Sequence, residues 1–230
     1  MEGHIASNLL KSASVPFPAL CLVVSGGHTE LVLMTNIGKY QIVGQTLDDA
    51  AGEAFDKIAR LLGLGYPGGP AISREAEKIR DADRRLEIKL PRPMIHSKNF
   101  DFSFSGLKTA VLYLVRDLTK THPLSKIKNA IAAEAQQAII DVLIAKTMRA
   151  AEKYKARSIM LSGGVSANKL LRKELEKATK EKSLKFFRPE IDYTTDNATM
   201  IALAGYYNFL KDRRTKLPWQ KLKVNANLTF

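Results

Sequence analysis

The chain predicts an α/β fold in which a mixed sheet is covered by helices, and three observations carry that prediction. Three short apolar runs at residues 19–24, 29–35 and 40–45 come first, joined by Ser-Gly-Gly-His and Asn-Ile-Gly-Lys, both hairpin-compatible. Helical periodicities then take over, and single strands at 157–161 and 184–187 alternate with helices to the end. Finally, Leu22-Val-Val-Ser-Gly-Gly-His28 is echoed by Ile159-Met-Leu-Ser-Gly-Gly-Val165, each an apolar strand running into a glycine turn. Meander, helices, then β-α-β-α is the order of a helix-covered mixed sheet.

Taken in order, residues 1–10 read as the tail of a helix with Ile5, Leu9 and Leu10 on one face and no cap before it. After the antiparallel meander, Thr46 is expected to cap a helix over about 47–62, with Asp48 and Asp49 in its first turn, where the macrodipole favours carboxylates. Ala51, Phe55, Ile58 and Leu62 share the apolar face of that helix. The stretch 63–70 combines two prolines with four glycines and cannot continue it; the next helix is expected near Ala71. Residues 86–96 read as a strand plus loop. Phe100, Phe102 and Phe104 alternate with polar residues and are expected to fill core; Ser105 is expected to cap a helix to about 118. A long helix or helix pair over about 124–155 follows, its stripe running through Ile127, Ile131, Ala135, Ala138, Val142 and Ala145. A helix at 167–179 lies between the last two strands, and Thr194, Thr195 and Asp196 precede a final helix at 198–210. The tail 217–230 has no usable periodicity.

Composition narrows the classes. At 230 residues, 45% apolar and 26% charged, the chain can build a substantial core and has ordinary globular values. No run approaches the ~18 apolar residues of a membrane span, so no membrane is expected. Met1-Glu-Gly-His-Ile5 lacks a basic segment followed by an apolar one, so no signal peptide is expected. The lone Cys21 excludes an internal disulfide and fits a reducing, cytoplasmic setting. The net charge of +13 is lopsided: residues 1–100 hold 12 Lys/Arg against 11 Asp/Glu, and residues 101–230 hold 24 against 12. A basic half beside a neutral half points to a polyanion, against the plain alternative of a lysine-rich solubilising surface. Lys153, Lys155, Lys169, Arg172 and Lys173 are the candidate contacts.

The glycine turns are where chemistry is expected. Glycine lets the backbone bend sharply and bring N–H groups against a ligand, typically phosphate. Two such turns, each leaving a strand, suggest a nucleotide cleft with a phosphate side and an adenosine side. Asp49, Glu53 and Asp56 form an acidic stripe on the helix after the meander. As a generic stripe it is a solvated face; the sharper alternative directs one carboxylate at ribose hydroxyls or a metal.

The order of elements resembles one half-unit of the ribonuclease-H-like, actin-type ATPase (ASKHA) fold, whose members hold ATP between two such halves. The motifs are more specific. Met1-Glu-Gly-His4, Val24-Ser-Gly-Gly-His-Thr-Glu-Leu31, Leu47-Asp-Asp-Ala-Ala-Gly-Glu-Ala-Phe-Asp-Lys57, Tyr66-Pro-Gly-Gly-Pro70, Leu161-Ser-Gly-Gly-Val-Ser-Ala-Asn168 and Thr195-Asp-Asn-Ala-Thr-Met200, with residues 100–108, together resemble the bacterial tRNA N6-adenosine threonylcarbamoyltransferases, also called O-sialoglycoprotein endopeptidase-like.

The resemblance implies transfer of a threonylcarbamoyl group from threonylcarbamoyl-AMP to N6 of adenosine 37, in tRNAs reading codons that begin with A. It implies substrate contacts at Val23, Val24, Ser25, Gly26, Gly27, Asp56, Gly69 and Asn168, a catalytic donor at His28, and one divalent ion, iron or zinc, on His4 and Asp196. It implies as partners the tRNA anticodon loop, a small inactive paralogue and a P-loop ATPase. The family's metal motif has a histidine before the methionine that coincides with Met1, and most of its N-terminal half-unit has no counterpart in this sequence. The expected organisation is therefore a remnant of that half at 1–17, then a nucleotide- and substrate-binding region at 18–230 with a helical insert over about 70–155; on that reading the chain alone is inactive. The alternatives are a non-catalytic nucleotide-binding scaffold paralogue and a kinase or ATPase of the same fold.

Overall fold

A computed structural model describes residues 1–10, 14–79, 86–211 and 223. The expectation for the tail from residue 217 lies outside these, as does most of the C-terminal end of the 18–230 region. One five-stranded sheet runs in the order β3-β2-β1-β4-β5. It consists of β1 (Ala19–Val24), β2 (Thr29–Asn36), β3 (Lys39–Gln45), β4 (Ser158–Ser162) and β5 (Lys185–Phe187). The meander is antiparallel, whereas β4 and β5 run parallel to β1. That is the mixed sheet the element order predicts.

β1 is buried along its whole length because both sheet faces are covered. Leu20, Leu22 and Val24 point into a large core with Phe55, Ile58, Phe102, Phe104 and Ile139; Cys21 and Val23 point the other way, into a smaller one with Ile5, Leu9 and Met160. The large core is roofed by α2 (Ala51–Leu61), α3 (Gly68–Ala76), α4 (Ser105–Leu118), α5 (Leu124–Lys153) and α6 (Lys169–Glu181). The smaller one lies under α1 (Glu2–Ala6), its 3-10 extension Ser7–Leu9, and α7 (Ala198–Lys211). Residues 1–10 are thus built into the sheet's second face: Asn8 Nδ2 donates to Leu161 O at 3.2 Å and to Ser162 Oγ at 2.8 Å.

Four local expectations are corrected. Thr46 does not cap α2, which starts at Ala51 after Ala50; instead Thr46 bridges to Phe102 and its hydroxyl donates to Asp49 O at 2.8 Å. The carboxylate next to it serves a different helix. Asp48 accepts from Ser103 Oγ and Ser105 Oγ, both at 2.6 Å, and from Phe104 N–H at 2.8 Å, so it caps α4 from 56 residues away. Ser105 is the first residue of α4 and not its cap, since Asp48 already occupies that role. Residues 86–96 form no strand; Arg92, ion-paired to Glu134 and Asp141, and Arg149, donating to Ile95 O at 2.9 Å, pin them to α5. The stripe of α5 closes on fully buried Lys146 in place of half-buried Ala145.

Candidate functional site

Parallel pairing of β1 with β4 puts the two glycine turns side by side. Val23 lies opposite Ser162, so both strands deliver Ser-Gly-Gly at the same, carboxyl, edge of the sheet, the edge where open α/β sheets bind ligands. In the first turn Ser25 N–H donates to His28 O at 2.8 Å and His28 N–H to Ser25 Oγ at 3.1 Å. The N–H groups of Gly26 and Gly27 take no partner among the described residues. In the second turn Gly163 has φ +86°, and a Cβ there would lie 2.3 Å from Val24 O. Only glycine lets the two turns touch.

α2 and α3 close one side. Gly52 N–H donates to Ser25 O at 3.2 Å, which seats the start of α2 on the first turn. One turn further, Asp56 accepts Gly68 N–H at 2.6 Å and so fixes where α3 begins. The opposite wall is α5 and the start of α6, where Asn168 is the N-cap, taking Leu171 N–H on Oδ1 at 3.0 Å. Between these walls lies a cleft of about 1190 Å³, lined in part by Gly26, Asp56, Gly69, Gln136, Gly164 and Asn168. It is roomier than the ~300–1,000 Å³ typical of small-molecule sites, large enough for a ligand of nucleotide size.

The residues expected from the sequence divide into three groups. Gly26, Asp56, Gly69 and Asn168 line the cleft together, and Gly69 stands in open space. Val23 and Val24 are fully buried, with backbones in the β1 ladder; with Ser25 and Gly27 they form the strand and turn behind the cleft wall. His28 is exposed, outside the cleft, within electrostatic reach of Glu30 and His4. Of the acidic stripe, Asp49 and Glu53 are joined by Lys57 at 2.6 and 2.9 Å, leaving Asp56 as the carboxylate at the cleft.

His4 and Asp196 meet across the α1–α7 contact, His4 Nε2 lying 3.2 Å from Asp196 Oδ1 beside a separate, smaller cavity. Burial lowers the His4 pKa, and the Asp196 carboxylate only partly opposes this, which favours the neutral imidazole that binds metals. Two donors within a shared-ion distance fit a divalent metal in type and spacing. Two features leave the set incomplete: no group of three His, Cys, Asp or Glu is poised for an ion among the described residues, and His4 Nδ1 is buried without a partner.

Three participants were missed by sequence reasoning. Gln136 is a buried polar residue in a mostly apolar part of α5, and that mismatch was its available signal; it accepts from Ser73 Oγ at 2.7 Å and from Asn168 Nδ2 at 2.9 Å. Ser73 sits one turn into α3 with no distinguishing signal. Glu30, opposite Val23, has one buried carboxylate oxygen without a partner among the described residues, and burial raises its pKa. One proposed basic contact is reassigned: Arg172 is 9% exposed and donates to Ser166 O and, at 3.0 Å, to Pro189 O, so it braces the fold. Lys169 and Lys173 remain at the cleft rim.

Residues 1–203 match the family model of tRNA N6-adenosine threonylcarbamoyltransferase. The chain belongs to this family. It is 48% identical over 209 residues to the tRNA N6-adenosine threonylcarbamoyltransferase of Syntrophomonas wolfei, covering 91% of this chain and 60% of that protein. It is 52% identical over 205 residues to that of Herminiimonas arsenicoxydans, covering 89% and 58%. The chain thus spans about three-fifths of the length of these relatives. Among solved structures, full-length HypF in a phosphate- and nucleotide-bound form superimposes with a TM-score of 0.65 at 11% identity, over 92% of this chain and 35% of HypF. The activator of 2-hydroxyisocaproyl-CoA dehydratase from Clostridium difficile follows at 0.52 and 10%, over 98% and 70%. These likenesses establish the actin-like ASKHA fold. No helix among the described residues is long and apolar enough to cross a membrane.

Proposed function

We propose that this chain carries the adenylate-binding side of a threonylcarbamoyl transfer site acting on N6 of adenosine 37 in tRNAs that read codons beginning with A. The observation that carries the reading is the convergence of both Ser-Gly-Gly turns, Asp56, Gly69 and Asn168 on one cleft at the carboxyl edge of the sheet, in a chain of this family. In this reading the unpartnered N–H groups of Gly26 and Gly27 receive the phosphate or carbamoyl oxygens of threonylcarbamoyl-AMP. Asp56 accepts from a ribose hydroxyl with the oxygen not held by Gly68. His28, exposed just past the first turn and outside the cleft, is the proposed donor to a carbamoyl oxygen that projects beyond the cleft mouth. N6 of the acceptor adenosine attacks the carbamoyl carbon, the new C–N bond forms, the bond to AMP breaks and N6 gives up a proton.

His4 and Asp196 are the residues that would hold iron or zinc, and such an ion supplies Lewis-acid polarisation of a carbonyl when bound. The anticodon loop would approach over the basic rim, including Lys169 and Lys173. A small inactive paralogue and a P-loop ATPase are the proposed protein partners, and the setting is cytoplasmic.

The test is to incubate the protein, alone and with those partners, with threonylcarbamoyl-AMP and an unmodified tRNA transcript, and to quantify threonylcarbamoyladenosine after digestion to nucleosides. Formation of the modified nucleoside in the presence of the partners, reduced at least tenfold in Asp56→Ala, is the expected result, and none is expected from the chain alone. Tight adenylate binding without any transfer would reject the transferase reading in favour of a nucleotide-binding scaffold. Absence of both would reject the site.

A further inference from the structure

The adenosine side of the cleft contains an amide donor whose direction is dictated by one backbone group. Leu171 N–H, in the first turn of α6, can only donate, so Asn168 must turn Oδ1 towards it at 3.0 Å. Asn168 Nδ2 then faces away from α6, and its hydrogens reach Ser73 Oγ at 3.0 Å and Gln136 Oε1 at 2.9 Å. Ser73 Oγ in turn donates to the same Gln136 oxygen at 2.7 Å. Both neighbours of that oxygen are donors, so the Gln136 amide cannot be turned over: Nε2 in its place would oppose Nδ2 hydrogen to hydrogen. Oε1 is therefore used twice, while Nε2 at the other end of the amide has no partner among the described residues. Gln136 is 6% exposed and, like Ser73 and Asn168, borders the cleft. Nε2 is not among the fully sequestered polar atoms, so on a residue otherwise buried it is the end left open, free to donate to a molecule that enters the cleft.

We infer that Gln136 is a specificity-determining residue for the nucleoside, donating from Nε2 to a ring nitrogen of the adenine base. Asn168, with its oxygen spent on the α6 cap and both amide hydrogens spent on Ser73 and Gln136, aims Gln136 and does not read the base itself. This rests on the adenylate reading of the cleft, and it changes which side chain performs the recognition. A purine ring nitrogen is the fitting acceptor, since its lone pair lies in the plane of the ring where an amide N–H can meet it.

The experiment uses the full chain and uncharged ligands: adenosine and its 1-deaza, 3-deaza and 7-deaza analogues, each of which replaces one ring acceptor with C–H, titrated calorimetrically. Wild-type protein is expected to bind one analogue about tenfold more weakly than adenosine, the scale of one hydrogen bond lost. Gln136→Glu keeps an acceptor for Ser73 and Asn168 but offers oxygen to the base; it should weaken adenosine about tenfold and abolish discrimination among the analogues. Asn168→Asp keeps the α6 cap but places an acceptor against Gln136, turning its Nε2 away from the base; the same loss of discrimination is expected from a residue that does not touch the ligand. Thermal melts establish which variants fold. Undiminished discrimination in a folded variant, or a wild type that binds all four nucleosides equally, overturns the inference while leaving the adenylate site standing. A wild type that binds neither adenosine nor AMP overturns both.

Discussion

Two adjacent glycines should respond to the same substitution with opposite signs. Gly68 is the first residue of α3. A Cβ on it would sit 2.5 Å from Asp56 Cα, 2.6 Å from Phe55 O and 2.7 Å from Asp56 N, all of them backbone of α2. Carbon atoms pack at about 3.5–4.0 Å, so Gly68→Ala has to push α3 from α2 by about 1 Å. That shift strains the 2.6 Å bond from Gly68 N–H to Asp56 and disturbs the large core, to which Phe55 of α2 and Ile72 of α3 both belong. Overpacking of this kind costs about 1–3 kcal/mol, and with the hydrogen bond compromised Gly68→Ala should lie near 3. At Gly69 a Cβ meets nothing within 4 Å. Its backbone is helical, so Gly69→Ala should stabilise by about 0.4–1 kcal/mol through the entropy of the unfolded chain. Urea unfolding followed by circular dichroism at 222 nm should therefore separate the two variants by about 3–4 kcal/mol. The same methyl in Gly69→Ala projects into the cleft, so the more stable variant should bind AMP more weakly than wild type. Gly68→Ala within 0.5 kcal/mol of wild type, or both variants shifting stability in the same direction, would refute the close approach of α2 and α3 on which the geometry of the Asp56 side depends.

Burial alone would raise the Asp48 carboxyl, but hydrogen bonds from the Ser103 and Ser105 hydroxyls and from the N–H groups of Phe104 and Ser105 outweigh it and hold the pKa below the ordinary carboxylate range. Its stabilisation is fully present above the unfolded value of about 3.9 and disappears as pH falls through the folded one. Asp48→Ala should cost about 1–2 kcal/mol at neutral pH and flatten the acid limb of the stability curve; an unchanged acid limb would contradict the cap. Lys146 is fully buried, and desolvation, aided by nearby Arg149, lowers it to about 8. The unfolded chain, with a lysine near 10.4, then binds more protons between these values, so stability should rise from pH 8 towards 10 in wild type and lose that rise in Lys146→Met. If phosphate contacts dominate tRNA binding, the logarithm of the affinity should fall linearly with the logarithm of salt concentration. Lys169→Ala/Lys173→Ala should reduce that slope, and a salt-independent affinity would exclude the basic rim as the contact surface.

Local physics read from the residues identified much of this molecule. β1 is 19–24 in both sequence and structure, because six apolar residues ending in Ser-Gly-Gly admit little besides a doubly buried strand and a turn. The long helix was legible from its periodicity to within two residues at its end, and the phenylalanine alternation at 100–104 correctly placed three core side chains. Capping was where the reading failed. Thr46 and Ser105 each have the right residue type in the right local position, but a carboxylate can reach a helix terminus from anywhere in the chain, and Asp48 does so across 56 residues.

The site divides along the same line. The strand-to-glycine pattern marked the two turns, whereas Asp56, Asn168 and the His4–Asp196 pair were marked by the resemblance of their motifs to the family. Whether they meet was decided only by tertiary structure: the parallel pairing of β1 with β4 aligns the two turns, and the docking of α1 on α7 brings residues 4 and 196 to 3.2 Å. The roles within the cleft were decided there as well. Asn168 is spoken for by a backbone N–H three residues on, and Gln136, a polar residue among the buried side chains of α5, is left with the free donor. A hydrogen bond is directional and saturable, so which of two amides is free depends on every neighbour in space and not on residue type.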